Sequence, residues 1–227
     1  MVPSAQLEAL RQRRYLIVGL GLCLLVLFVS GLLSHELTAG VSRAPVTVAL
    51  ASATLLVYAF AILRRPDNQA DTLQARSLGL KFGVAVGCLW IIFLWEGTVW
   101  IFAAILPMVA GALGAIGYGK VRGGTLASFW CGLGGGLIGF IAFATVGNLA
   151  LLLPHRFPHV DNEIVGAGLG FILMFYSLIY CPVVGTLGGL VGLLLARTGG
   201  PSGWKAHAGL GVLSIAGLLL MGWLFAK

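Results

Sequence analysis

The sequence predicts an all-α protein, a polytopic transmembrane helical bundle with about seven spans. Of its 227 residues, 59% are hydrophobic and only 9% are charged, whereas a soluble domain carries about 25% charged residues because its surface faces water. The apolar residues also gather in long runs. About 20 residues of helix cross the roughly 30 Å hydrocarbon core of a bilayer, and several runs reach that length.

The first two spans are bounded by basic residues. A short basic segment ends at Arg14, and the apolar run Tyr15–Leu33 follows it. This run is longer than the roughly 7–15 apolar residues of a signal peptide, so we interpret it as an uncleaved anchor. The second span, Val46–Leu63, begins after Pro45, where a missing N–H costs nothing, and stops at Arg64.

A polar segment, Pro66–Ser77, separates the second span from the third, and we expect it to form a loop or a surface helix outside the membrane. Five further spans are predicted: Gly79–Trp95, Thr98–Gly119, one crossing within Thr125–Leu153, Ile164–Arg197 and Trp204–Ala226. Pro182 lies inside the sixth and predicts a kink or a partial re-entrant break. The predicted organisation is a cytoplasmic basic segment over residues 1–14 and a single transmembrane helical domain over 15–227.

Basic residues predict the orientation, because Lys and Arg beside membrane spans stay on the cytoplasmic side. With the N-terminus in the cytoplasm and the C-terminus outside, all but three of the 14 Lys and Arg residues fall in cytoplasmic segments; the exceptions are Arg43, Arg156 and Lys227. The net charge of +7 is spread over several segments, so we expect no nucleic-acid partner. The expected location is a membrane of the bacterial inner (plasma) membrane type.

Glycines inside the spans indicate how the helices pack. The chain has 34 glycines, and small residues let membrane helices approach closely where apolarity alone drives no association. Gly83 and Gly87 have the four-residue spacing of such contacts in the third span. The same spacing recurs in the fifth and sixth spans, which we expect to form the tight centre of the bundle or a contact with another subunit. Their packing residues are Gly132, Gly135, Gly136, Gly139, Gly188 and Gly192.

A few polar side chains in or beside the spans are candidates for a polar or transport site: Glu96, Asn148, Tyr176, Ser177 and Tyr180. A carboxylate at membrane depth is costly and usually functional, although Glu96 beside Trp95 also fits an interfacial turn. For the other four, hydrogen bonds between helices are the simpler expectation, and a polar substrate path is the alternative.

One predicted outer loop holds imidazole and carboxylate groups, a ligand set that suits Zn²⁺ or Cu²⁺. Its residues are His155, His159, Asp161 and Glu163. The neighbouring prolines favour a loop over a helix, so an ordinary hydrated loop is the competing interpretation. No motif in the sequence specifies a cofactor.

No motif commits the sequence to a reaction either, and an enzyme is the less favoured class. Spans nearly free of ionisable groups and rich in small residues favour a non-catalytic integral membrane subunit or scaffold of a larger assembly, whose partners are the lipid bilayer and other membrane protein subunits. The alternative is a small-solute permease or channel-like transporter, since Pro107 and Pro182 can break helices as in transport sites. A third hypothesis is a membrane enzyme with a metal site on its outer face.

Overall fold

The computed structural model of the chain describes residues 4–37, 44–63, 70–93, 100–153 and 167–198. This part of the chain is helical, with six helices: α1 (Ser4–Leu37), α2 (Ala44–Leu63), α3 (Ala70–Phe93), α4 (Trp100–Tyr118), α5 (Val121–Leu152) and α6 (Ala167–Thr198). Four of them contain stretches long and apolar enough to cross a membrane, namely Leu10–Ser30, Thr72–Ile92, Val121–Ala150 and Gly170–Arg197. The prediction of a helical membrane protein is confirmed at this level. The predicted span Trp204–Ala226 lies outside the described residues.

Two helix boundaries differ from the expectation in an informative way. Helix α3 begins at Ala70, so most of the segment that we expected to be a loop or a surface helix continues directly into the third apolar run. Helix α6 is continuous from Ala167 to Thr198 with Pro182 inside it, and the sixth apolar run therefore contains no re-entrant break between these two residues.

The chain divides into two compact units. Unit 1 comprises Met1–Arg65 and Gly136–Tyr176, and unit 2 comprises Pro66–Gly135 and Ser177–Lys227. Helices α5 and α6 therefore contribute residues to both units. Within the candidate spans, 67% of the α5 residues are buried, against 28% in α6 and 11% in α1. Helix α5 thus supplies the largest share of buried residues among these spans.

In unit 1, α1 and α2 pack against each other, and the start of α1 meets the end of α2, as in an antiparallel pair. The guanidinium of Arg13, near the start of α1, donates a hydrogen bond to the carbonyl of Leu63, the last residue of α2, at 3.1 Å. A cation at the C-terminal end of a helix satisfies a free carbonyl and opposes the negative end of the helix dipole. Phe140 of α5 and Phe171 of α6 stack with ring centroids 4.7 Å apart and join these two helices.

In unit 2, α3 and α5 run parallel with their backbones close together. A Cβ atom at Gly79 would meet the carbonyl of Ala127, and one at Gly83 would lie 2.8 Å from the carbonyl oxygen of Cys131. Since the contact advances by one helical turn on both helices, the two point in the same direction. Neither position can carry a side chain unless the helices separate, because the nearest atom in the way is a backbone carbonyl oxygen in both cases.

Candidate functional site

Most of the packing glycines on α5 and α6 lie directly against a neighbouring helix of the same unit, with no room for a side chain. In unit 2, a Cβ at Gly132 would meet the Ser177 carbonyl and lie 2.8 Å from the Cβ of Cys181, and one at Gly192 would lie 2.8 Å from the Ala112 carbonyl oxygen. Equivalent atoms at Gly188 and Gly135 would be blocked by the Met108 carbonyl and by the Val86 side chain, respectively. Gly136, in unit 1, backs onto the Tyr58 hydroxyl, and Gly139 is buried.

Asn148 lies in unit 1 and bonds across to another helix. The hydroxyl of Ser30 on α1 donates to the Asn148 Oδ1 atom at 2.9 Å and also lies 2.9 Å from the carbonyl of Val26. A serine–asparagine pair of this kind satisfies two polar groups inside an apolar helix contact. The amide of Asn148 therefore serves the α1–α5 contact in this arrangement.

The hydroxyls of unit 2 lie against the two prolines that sit inside helices. The Ser128 Oγ atom on α5 donates to the Pro107 carbonyl on α4 at 2.6 Å. On α6, the Thr186 hydroxyl donates to the Pro182 carbonyl at 2.7 Å and lies 2.9 Å from the hydroxyl of Thr125 on α5. The carbonyl that each proline leaves without its helical N–H partner is the one four residues earlier, so these bonds to the prolines' own carbonyls serve instead to join α5 to α4 through Ser128 and α5 to α6 through Thr125.

The remaining polar candidates on α6 differ in exposure. Tyr176, in unit 1, is 46% exposed. Ser177 is buried in unit 2, where its backbone carbonyl faces Gly132, and Tyr180 is half-buried. Tyr58, a fully buried tyrosine that the sequence did not single out, donates its hydroxyl to the Met174 carbonyl at 3.2 Å.

Arg76 is the feature that sequence reasoning missed. We expected it in a polar segment outside the membrane, but it lies on α3 within the candidate span Thr72–Ile92, and it is only 1% exposed. Its guanidinium carbon sits 4.5 Å from the centroid of the Trp130 ring on α5. A desolvated cation over an indole ring is attracted by about 2 kcal/mol. The spacing to Gly79 and Gly83, three and seven residues on, places Arg76 on the glycine face of α3 and is the signal that could have revealed it.

The turn between α4 and α5 lies next to this buried arginine. Only Gly119 and Lys120 connect the two helices, and Gly119 has a φ of 65°, a left-handed conformation that favours glycine. The hydroxyl of Tyr118 accepts a hydrogen bond from the backbone N–H of Ala75, the neighbour of Arg76, at 2.7 Å. This bond joins the end of α4 to the first turns of α3.

Five of the predicted site residues lie outside the described residues: Glu96, His155, His159, Asp161 and Glu163. The hypotheses of an interfacial carboxylate and of an outer metal site therefore stay predictions. Within the described ranges, no cluster of three or more His, Cys, Asp or Glu side chains could hold a metal ion.

Comparison with known proteins found no match to this chain among family models, curated proteins or solved structures.

Proposed function

We propose that this chain is a non-catalytic integral membrane subunit, or scaffold, of a larger membrane protein assembly. The observation that supports this most directly is what its interior polar groups do. The pairs Ser30–Asn148 and Ser128–Pro107 each bond one helix to another within a unit. Groups committed to helix contacts in this way favour packing over chemistry.

Helix α1 supplies the second support, because it buries little surface against its own chain. Only 11% of its candidate span is buried. Val18, Leu22, Leu25 and Val29 recur at three- and four-residue intervals and are all exposed. This spacing places them on one face; lipid satisfies such an apolar face, and in the proposed assembly a partner helix replaces the lipid there.

The direct test is the mass of the particle that the protein forms in a mild detergent, measured by light scattering coupled to size exclusion. We expect a particle whose protein mass exceeds the 23.7 kDa of the chain, with other membrane proteins in it. The paired change Leu22→Ala and Leu25→Ala should weaken the assembly, whereas Val84→Ala, at an exposed position on α3, serves as the matched control. A stable, folded monomer with no other protein bound under these conditions would refute the proposal.

The proposal includes the finer topology of seven crossings, a cytoplasmic N-terminus and a bacterial-type inner membrane. Its support is the distribution of basic residues and the antiparallel pairing of α1 with α2. We expect a cysteine introduced at Lys120, in a background without native cysteines, to react with an impermeant maleimide only from the cytoplasmic side. Labelling from the outside would invert the orientation.

Arg76 specifically favours the second candidate, a permease for a small anionic solute. Ionisable residues inside membrane spans often mark a substrate path, and Arg76 is buried within one. In sealed proteoliposomes, this function requires uptake of a small anion that depends on the protein. The uptake rate should fall at least tenfold in Arg76→Gln and should recover in part in Arg76→Lys. Flux no greater than in empty liposomes would eliminate this candidate.

A further inference from the structure

A lysine lies on the outward face of α3, inside a membrane span. Lys81 falls within the candidate span Thr72–Ile92 and is exposed. It is two residues from both Gly79 and Gly83, so it points away from the helix face that packs against α5. A charge inside a span is costly, and such residues almost always face the interior of a bundle and pair there with an opposite charge. Lys81 departs from this pattern because it faces outward.

The packing of α3 against α5 gives the depth of this lysine. Gly83 lies against the carbonyl of Cys131, ten residues, or about 15 Å, beyond the start of α5 at Val121. Because the two helices run parallel, Lys81 lies about 12 Å beyond that start. In the proposed topology, α4 needs all of its 19 residues to cross about 30 Å of hydrocarbon, so the α4–α5 turn marks a membrane boundary. A lysine side chain is about 6 Å long, and the ammonium group of Lys81 therefore stays inside the hydrocarbon even if it points straight at this boundary.

The spans of this chain supply no opposite charge at that depth. The four candidate spans contain no Asp or Glu, and neither do α2 and α4. On α3 itself, Asp71 lies ten residues, or about 15 Å, before Lys81, which is beyond the boundary. The seven carboxylates of the chain are Glu8, Glu36, Asp67, Asp71, Glu96, Asp161 and Glu163. A counter-charge for Lys81 within the membrane therefore comes from another molecule.

The helix face around Lys81 has room for a second helix. Ala85, Cys88 and Ile92 follow Lys81 at four- and three-residue intervals, and all three are exposed, so they continue the same face. Two of them are small, and small residues let membrane helices approach closely. Lipid tails satisfy the apolar part of this face, but they cannot neutralise the lysine. The charge therefore distinguishes this face from an ordinary lipid-facing one.

We propose that this face of α3 binds a transmembrane helix of a partner subunit, and that an Asp or Glu of that helix pairs with Lys81. The inference rests on the proposed role as a subunit of an assembly and adds the chemistry of the partner, an apolar helix with one carboxylate at the depth of Lys81. The attraction between the two charges is strong at this depth because the surroundings have a low dielectric constant and little water competes for either group.

Synthetic membrane-spanning peptides test the proposal on the full chain in phosphatidylcholine liposomes. Each peptide is a helix of about 20 leucine and alanine residues with a single Asp, or a single Asn of the same shape, at the depth of Lys81. Energy transfer between a dye on the peptide and a dye on the N-terminus of the chain reports association. We expect the Asp peptide to bind about tenfold more tightly than the Asn peptide, as for a polar contact between helices in a membrane.

Variants at position 81 show whether the lysine causes this preference. Lys81→Gln should remove it, whereas Lys81→Arg should keep it because the charge remains. Lys81→Asp should reverse it and favour a peptide that carries Lys over the Asp peptide. Val84→Ala is the matched control, because Val84 is also exposed on α3 but lies about 60° around the helix from Lys81, and the preference should stay within twofold of the unmodified chain.

Three results would overturn the proposal. The first is that the unmodified chain binds the Asp and Asn peptides equally or binds neither, and the second is that the preference survives in Lys81→Gln. The third is loss of the preference when phosphatidylglycerol replaces phosphatidylcholine, since a lipid headgroup would then be the partner of Lys81. The assembly role fails separately. A folded monomer in detergent refutes that role, whereas equal binding of the peptides by a chain that purifies with other membrane proteins refutes only the docking face.

Discussion

The contact between α4 and α6 depends on Gly111, and a single added methyl group should disrupt it. A Cβ at Gly111 would meet the carbonyl oxygen of Gly185 and would lie 2.6 Å from its Cα and 2.7 Å from its carbonyl carbon. Carbon atoms in contact normally lie about 3.5–4.0 Å apart, so the shortfall is about 1 Å. All three obstructing atoms are backbone, and no side-chain rotation can relieve the overlap.

The same helix provides the matched control. A Cβ at Gly117 would have no atom within 4 Å, and Gly117→Ala therefore tests the effect of alanine on α4 without a clash. Both substitutions gain helix propensity, up to about 1 kcal/mol and less at Gly117 near the end of α4, so propensity cannot make Gly111→Ala the less stable variant. The remaining difference is the overpacking cost, typically about 1–3 kcal/mol. Separating α4 from α6 by up to 1 Å also forfeits roughly a quarter to a half of their dispersion attraction.

We therefore expect Gly111→Ala to be less stable than Gly117→Ala by about 2–3 kcal/mol. The free energy of unfolding can be measured by titrating the protein in mixed micelles with SDS and following the loss of helical circular dichroism. Gly117→Ala should match or slightly exceed the unmodified protein. Equal stability of the two variants would mean that α4 and α6 do not approach as closely as the geometry requires, and the reasoning would fail.

Three further predictions concern buried or half-buried polar groups and use the same unfolding measurement. A double-mutant cycle of Ser30→Ala and Asn148→Ala should give a coupling energy of about 0.6 kcal/mol, with an upper value near 1.7; additivity of the two changes would contradict the hydrogen bond. Tyr58→Phe should lower the free energy of unfolding by a similar amount, because the Tyr58 hydroxyl is buried and hydrogen-bonded. An unchanged free energy of unfolding would show that this bond contributes nothing. Arg76→Gln should lower the free energy of unfolding by about 2 kcal/mol in the native background and by much less in a Trp130→Leu background. Equal losses in the two backgrounds would exclude the cation–π contribution.

Much of the helical layout could be predicted from apolar runs alone. A membrane of nearly constant thickness sets the length of each run, and charges such as Arg64 and Lys120 stop it. The predicted span Val46–Leu63 therefore differs from α2, Ala44–Leu63, by only two residues at its start. Such a run does not record how far the helix continues into polar sequence. This is why the sequence predicts the third span from Gly79, whereas α3 begins at Ala70.

The site was harder to predict because burial depends on which helix covers a given face. Arg76 is charged and follows a polar stretch, so its sequence neighbours favour an aqueous position. Its burial results from Trp130, a residue of α5 that comes to lie 4.5 Å from the guanidinium only after α3 and α5 have packed at Gly79 and Gly83. Asn148 could be identified as polar and within a span, but no spacing rule identifies Ser30, on another helix, as its partner.

The two-residue connection between α4 and α5 also constrains how this part of the protein is made. With only Gly119 and Lys120 between the helices, the connection is too short for one helix to cross a bilayer while the other stays in water. In the proposed topology, in which α4 and α5 both cross the bilayer, the two helices therefore enter the membrane as a paired hairpin, and the turn fixes their mutual register. Flexible residues inserted after Gly119 would uncouple the two insertion events, so the efficiency of membrane integration depends on this turn as well as on the hydrophobicity of the helices.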